Sequence, residues 1–481
     1  MSVVMPDMRF DAGELARRAG GEWLTPPGDL TVNAVEIDSR RCAAGTLFAA
    51  LAGQHADGHD YIAAAAASGA AAALVSRDPG AMPCPLLLVD DVEAALTRLG
   101  AFGRAAHRMA GGHLVAITGS VGKTGSKEML AHMLRQLGGC HANRDSFNNH
   151  LGVPLTLAAL PDTPLAAVQE IGMNAPGEIR TLSALAQPDI AVITRIANSH
   201  AGFFDSLDGI AAAKAEIFDG LTVGGTAILN ADDQYFAFLE TRARAAGAAR
   251  IVGFGMAAGC DVQLLDVMPS ETGLNVTADI LGTRISFHMG TRGTHWACNA
   301  MAMLAAVAAL GLDVETAAGT LADFSEMAGR GAVSSGVLDG MNITLIDDSY
   351  NAGPASMLAA FATIAEAPPQ IMVLSDMLEL GDGAAAAHAA LAPAITALQP
   401  RTVITIGPMM ADMASSLSGD IAHHATGTPA EASAALRAVL RDGDRVFIKG
   451  SNGSGACRVA ADILGNLAAH HDTNGGASHA A

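Results

Sequence analysis

Between a strand-like run, "LVAIT" at 114–118, and a helical stripe of Met129, Leu130, Met133, Leu134 and Leu137 lies Gly119-Ser120-Val121-Gly122-Lys123-Thr124-Gly125. Residue types at this spacing can hold a phosphate chain. The glycines let backbone N–H groups turn inward around phosphate oxygens, Lys123 brings a point charge to the outer phosphates, and the Thr124 hydroxyl can sit on Mg²⁺. The first glycine of the longer GxxxxGK[ST] pattern is absent, since Ile117 stands there. A glycine turn with a solvated lysine is the plainer alternative; a loop leading from strand to helix favours phosphate.

Other residues offer chemistry with less support from spacing alone. Glu170 ends the apolar run "AVQEI", an expensive place for a charge unless it meets Mg²⁺ or a structural cation. His200, in "NSHAGFF", is either a metal ligand or a loop histidine. Lys214 falls on one helical stripe with Ile210, Ile217, Phe218 and Leu221. It either snorkels to the surface or meets Glu170 near a metal. Asp232 and Asp233 suit a helix cap, and Asp376 and Glu379 a polar loop. Asp347 and Asp348 end another strand-like run, followed by Tyr350 and Asn351. His107 and His132 are expected at the surface, with no role.

The elements that must position these residues alternate. The runs "LVAIT", "AVQEI", "IAVIT", "TAILN" and "RIVGFG" are separated by helical patterns, as are "NITLID", "QIMVLS", "RTVITIG" and "RVFIKG" further on. Such alternation predicts an α/β protein with mostly parallel sheets. The chemistry-bearing residues follow strand ends, where open sheets bind ligands. The reading gives three domains, 1–105, 106–318 and 319–465, with a disordered tail at 466–481. The central one carries a P-loop-like, mostly parallel sheet and the last is Rossmann-like. Asp261 to Met289 is expected to form a small antiparallel appendage, and "YIAAAAASGAAAALV" (61–75) a helix with one buried face.

Composition excludes several classes. The 481 residues are 50% apolar and carry a net charge of −20, so nucleic acid is not an expected partner. Six scattered cysteines without a CxxC pair fit a reducing cytoplasm. The opening residues lack a signal-peptide pattern, and no run is long enough for membrane insertion.

Taken in order, "IDSRRCAAGTLFAAL", "TGSVGKT", "FNNHLGVPLTL", "EIGMNAPGEIRTLS", "ITRIANSHAGFFDSLDGIAAAKAEIF", "LNADD", "GTHWACNA", "IDDSYNAGPASM", "DMLELG" and "VFIKGSNG" resemble the Mur ligases over nearly the whole chain. Within that family the set is similar to the type that adds D-alanyl-D-alanine to UDP-N-acetylmuramoyl-tripeptide. The resemblance implies an ATP-dependent amide ligase working through an acyl phosphate. The first domain would hold the UDP end, the central one ATP, and the last the amine substrate.

For the residues, the resemblance implies Lys123, Glu170, His200 and Lys214 as catalytic, with two Mg²⁺ ions on Thr124, Glu170, His200 and a carbamylated Lys214. Nucleotide contacts would come from residues 119–125, His295, Asn299, Arg330 and Asp347. Ser39, Arg40, Asn148, Asn149, Asn174 and Asn351 would face the other substrates. A monomer that closes around its substrates is implied. Another Mur ligase or a folylpolyglutamate-synthetase-like ligase is the near alternative, and a nucleotide-binding scaffold the distant one. Three residues depart from the family pattern: Gly125 for Thr or Ser, Arg195 for Asn, and Gly353 for Asn. Restoring Thr at 125 is expected to change ATP affinity by about 1 kcal/mol, the worth of one neutral hydrogen bond.

Overall fold

A computed structural model describes residues 10–468 except 54–55, 164, 198–203, 205, 326, 379 and 418–419. His200, Glu379 and most of the C-terminal tail lie outside the described residues.

The central sheet has nine strands. Cys140–Ala142, Ala166–Glu170, His113–Thr118, Ile190–Ile193, Thr226–Asn230, Arg250–Gly255 and Val262–Ser270 pair in parallel, in that order across the sheet. Its strands are apolar on both faces because helices cover both. Val115 and Ile117 pack with Met129, Met133 and Met301 on one side, while Leu114 and Ala116 meet Ile179, Ile210 and Leu239 on the other. Gly273–Ile280 and Thr283–Met289 continue the same sheet in antiparallel fashion. The expected appendage is therefore an extension of the central sheet, because Val262–Ser270 pairs directly with Arg250–Gly255.

The N-terminal five-stranded sheet corrects a second expectation. The alanine-rich stretch forms only a short helix, Ile62–Ala67, and then the strand Ala70–Val75. Gly69, at φ +112°, makes the reversal. Pairing on both sides, with Thr46–Ala49 and Leu86–Leu88, overrides the helical propensity of alanine. The C-terminal sheet has six strands. Met341–Asp348, Asp444–Lys449, Ile371–Ser375, Thr402–Ile406 and Ala422–Thr426 run parallel, with Ala332–Leu338 as an antiparallel edge. The sequence reading did not foresee Ala332–Leu338 or Ala422–Thr426, which carry few buried apolar residues.

His107 is fully buried rather than at the surface. It lies on the helix Val92–Met109, whose Arg104 reaches the central domain through Ala186 O (2.8 Å), Gln187 O (2.9 Å) and Asp189 Oδ2 (2.8 Å). Among the described residues no helix is long and apolar enough to cross a membrane.

Candidate active site

The glycine loop leaves the carboxyl end of His113–Thr118 and enters the helix Lys123–Leu137. Two glycines are required by geometry. Gly119 has φ +149°, and a Cβ there would meet Thr194 Oγ1 at 1.9 Å; Gly122 has φ +82° and faces Asn299. Ser120 N donates to Arg195 O (2.7 Å), and Thr194 Oγ1 to Val121 O (2.7 Å), so the neighbouring strand shapes the loop. Lys123 Nζ donates to Gly119 O at 2.8 Å, folding the ammonium back over the loop. The buried hydroxyls of Ser120 and Ser126 have no partner, which suits a loop built for additional acceptors. Ser126 was not among the expected contacts.

Glu170 is 1% exposed at the end of the adjacent strand. Asn148 Nδ2 donates to its Oε1 at 2.7 Å, whereas Oε2 is buried without a partner. Lys214 is also 1% exposed and forms no hydrogen bond or ion pair among the described residues. Burial pushes its amine well below the ordinary lysine range; the charge of Lys123 adds to this, and Glu170 opposes it. Lys123 is lowered as well, by burial first, with Glu170 pulling it up and Arg330 down. Lys123, the buried carboxylate and the buried amine thus form one electrostatic group. An orphan carboxylate oxygen facing a phosphate loop fits a divalent cation. Among the described residues no group of three His, Cys, Asp or Glu side chains is placed to hold a metal ion.

The C-terminal sheet contributes a second set. Arg330 lies 4.1 Å over the Tyr350 ring. Asp347 accepts from Gly329 N (2.8 Å), Ser349 N (3.1 Å) and Ser349 Oγ (2.5 Å), so its carboxylate is occupied in holding the turn that carries Arg330. Lys449 was passed over although "VFIKGSNG" contains it. Its Nζ donates to Asp348 Oδ2 (2.7 Å) and Asn351 O (3.0 Å). Burial raises the Asp348 carboxyl against the pull of Lys449. Lys449 also acts on His295, whose imidazole is lowered by burial first and by this charge second. Through His295, the C-terminal sheet approaches the helix Thr294–Ala309, which carries Asn299.

Several of the remaining expected residues make local bonds. Arg40 makes a bidentate pair with Asp38 (2.9 and 2.7 Å), which holds that carboxyl down at about 2. Ser39 opens the same short turn. Asn149 Oδ1 accepts from Leu151 N and Gly152 N at the start of the helix Gly152–Ala158. Asn174 N donates to Glu178 Oε2 (2.7 Å), and Asn351 Oδ1 accepts from Ala352 N (2.9 Å). Gly353 has an extended φ of −153° and needs no glycine. Arg195 is exposed, and its backbone carbonyl serves the loop.

Gly125 overturns an expectation. A Cβ there would lie 2.9 Å from two ring carbons of Trp296. Trp296 is 4% exposed and packs edge-on against Phe324 at 5.7 Å. Thr cannot simply be restored at 125, because the indole occupies its space. Lys127, fully buried, was also missed. It donates to Asn143 O and Asp145 O, both at 2.8 Å, and so anchors the loop before Asn148. A lysine in register with Leu130 and Leu134 on a buried stripe was the available signal.

Fold and site together define a phosphate-loop α/β enzyme. The model described as Mur ligase middle domain matches residues 117–307, that of the Mur ligase, glutamate ligase domain 329–452, and that of the Mur ligase family, catalytic domain 31–93. The chain belongs to the Mur ligase family, a family of ATP-dependent, ADP-forming amide ligases. It is 33% identical to the UDP-N-acetylmuramoyl-tripeptide–D-alanyl-D-alanine ligase of Bacillus subtilis (strain 168), over 94% of this chain and 97% of that one. With the ligase of the same name from Escherichia coli (strain K12) it shares 35% identity, over 79% and 82%. A crystal structure of MurF from Acinetobacter baumannii superposes with a TM-score of 0.81 at 29% identity, covering 96% of this chain and 100% of that chain.

Proposed function

We propose that this chain is a MurF-type ligase: it joins D-alanyl-D-alanine to UDP-N-acetylmuramoyl-tripeptide, using ATP, to give the pentapeptide precursor of peptidoglycan. The observation that carries this reading is 33% identity along 97% of a ligase of that name. The folylpolyglutamate synthase of Mycobacterium tuberculosis, at 18% identity, shares the fold alone. Cytoplasmic location and a monomeric state belong to the same reading.

A carboxylate and an amine do not condense favourably in water, so the carboxylate must first be activated. In the proposed reaction a tripeptide carboxylate oxygen attacks the γ-phosphorus of ATP, ADP leaves, and an acyl phosphate remains. The amine of D-alanyl-D-alanine then attacks the acyl carbon, phosphate departs, and the nitrogen loses a proton. The N–H groups of residues 121–125 cradle the phosphates, that of Ser120 being given to Arg195 O, and Lys123 lies on the outer ones. Arg330 meets the nucleotide from the opposite sheet, while His295 and Asn299 border the base. Holding two anions in register is the main contribution of the site.

Mg²⁺ held by Thr124 and the free oxygen of Glu170 would neutralise phosphoryl charge. The carbamate on Lys214 is what the family resemblance implies, and the burial of its amine supports it. A buried amine pushed toward its neutral form is nucleophilic, and it adds CO₂ with loss of one proton to give a carbamate. The resulting anion would offer oxygen ligands to Mg²⁺ beside Glu170. His200 completes the proposed set by resemblance.

The test is ADP release measured with UDP-linked tripeptide, adding D-alanyl-D-alanine, D-alanine or L-amino acids in turn. Release with D-alanyl-D-alanine alone supports the reading. Preference for a different amine, or nucleotide hydrolysis indifferent to the tripeptide, sinks it.

A further inference from the structure

The loop spanning 143–149 makes contacts in all three domains. Toward the N-terminal sheet, Arg144 holds Glu36 through Nη1 to Oε2 (2.8 Å) and Nη2 to Oε1 (3.4 Å). Within the central domain, Asn143 Oδ1 accepts from Glu170 N (2.8 Å), Asn148 Nδ2 donates to Glu170 Oε1 (2.7 Å), and Lys127 anchors two carbonyls. Toward the C-terminal sheet, Ser146 Oγ is hydrogen-bonded to the Tyr350 hydroxyl.

Tyr350 has a second attachment at its other end. Its N–H donates to Gly329 O at 2.9 Å, and its ring lies 4.1 Å beneath the guanidinium of Arg330. The phenol therefore joins the loop that orients Glu170 to the turn that presents Arg330. Arginine stays charged at any working pH and can stabilise phosphoryl charge only from a fixed position. Arg330 is near enough for its charge to lower the Lys123 ammonium, after burial and against the pull of Glu170.

We propose that the Tyr350–Ser146 hydroxyl contact seats Arg330 against the nucleotide loop, making Tyr350 and Ser146 positioning residues for phosphoryl transfer. The inference rests on the ligase reading for its kinetic arm and on geometry for the other. Neither hydroxyl need touch a substrate. Each acts through Arg330 on one side and the Glu170 loop on the other.

The decisive variants are Tyr350→Phe, which keeps the ring under Arg330, and Ser146→Ala. Each should lower kcat about five- to tenfold, the loss of one well-placed hydrogen bond, with KM for ATP changed less than about twofold. The double variant should be no worse than either single one, since both remove the same contact. In an Arg330→Ala background, Tyr350→Phe should have no further effect; a merely structural tyrosine would still cost activity there. A second readout needs no turnover. Small-angle scattering of the nucleotide-bound protein should give a larger radius of gyration for Tyr350→Phe than for wild type. Wild-type kcat together with an unchanged radius overturns the proposal, as do effects of the two single variants that multiply. Should the wild type fail to turn over while the radii still differ, the ligase reading fails and the contact stands.

Discussion

Substitution at Gly125 sets two known effects against each other. Gly125 sits in the first turn of the helix Lys123–Leu137, where replacing glycine by alanine ordinarily gains roughly 0.5–1 kcal/mol. The new methyl, however, would meet the Trp296 ring at 2.9 Å, closer than carbon atoms pack. Trp296 has little room to retreat, being 4% exposed and backed by Phe324. Overpacking of this kind costs about 1–3 kcal/mol, so Gly125→Ala should come out near neutral to about 2 kcal/mol unfavourable. Gly125→Thr adds two more heavy atoms and lies at or beyond the upper end. Because the strain falls on the phosphate loop, ADP affinity should drop about five- to thirtyfold for the Thr variant, the equivalent of 1–2 kcal/mol. The assay is ADP titration by calorimetry, alongside thermal unfolding. The cause is checked by Trp296→Phe, whose smaller ring does not reach the same carbons. In that background Gly125→Ala should change sign and stabilise the protein. Tighter ADP binding by Gly125→Thr with Trp296 in place would refute the packing argument.

Three further outcomes follow from the structure. Lys123→Ala should abolish ADP formation with an unchanged circular dichroism spectrum, since among the described residues its ammonium bonds only Gly119 O; substantial remaining turnover removes it from the chemistry. Lys214→Ala should lose activity and recover part of it with acetate at high concentration, and the wild type should weaken in CO₂-depleted buffer and recover with bicarbonate; a fully active variant ends the carbamate assignment. His107 predicts an acid sensitivity: neutral, it accepts from Arg104 Nη1 (3.3 Å) and donates from Nε2 to Leu165 O (2.9 Å), and burial and then Arg104 lower its pKa, with the Leu165 bond opposing. The unfolded chain then binds the proton first, so stability is present above pH 6.5 and falls below it. The melting temperature of His107→Gln should depend less on pH between about 7.5 and 5 than that of the wild type, and equal slopes would exclude this histidine as the source.

Much of the site was readable from short stretches of chain. A glycine loop between a strand and a helix is a local arrangement, so Gly119, Gly122 and Lys123 declare themselves by spacing. Glu170 and Lys214 declare themselves by misplacement, each a charge on an apolar run, and burial is what such runs encode. The alternating strands follow from the same logic, because a strand buried on both faces is apolar throughout. Where the reading failed, the deciding neighbour was distant in sequence. Alanine at 70–75 has no local reason to be a strand; two flanking strands make it one. Nothing near Gly125 mentions Trp296. Lys449 finds Asp348 only when two strands a hundred residues apart pair in one sheet, and Tyr350 finds Ser146 only when the central and C-terminal domains meet. The sequence by itself determined which residues carry charge and which loops can cradle phosphate, since those depend on composition and local geometry. Which charges meet, which hydroxyls pair and which side chains have room depends on packing between segments more than a hundred residues apart, and that the tertiary structure alone decided.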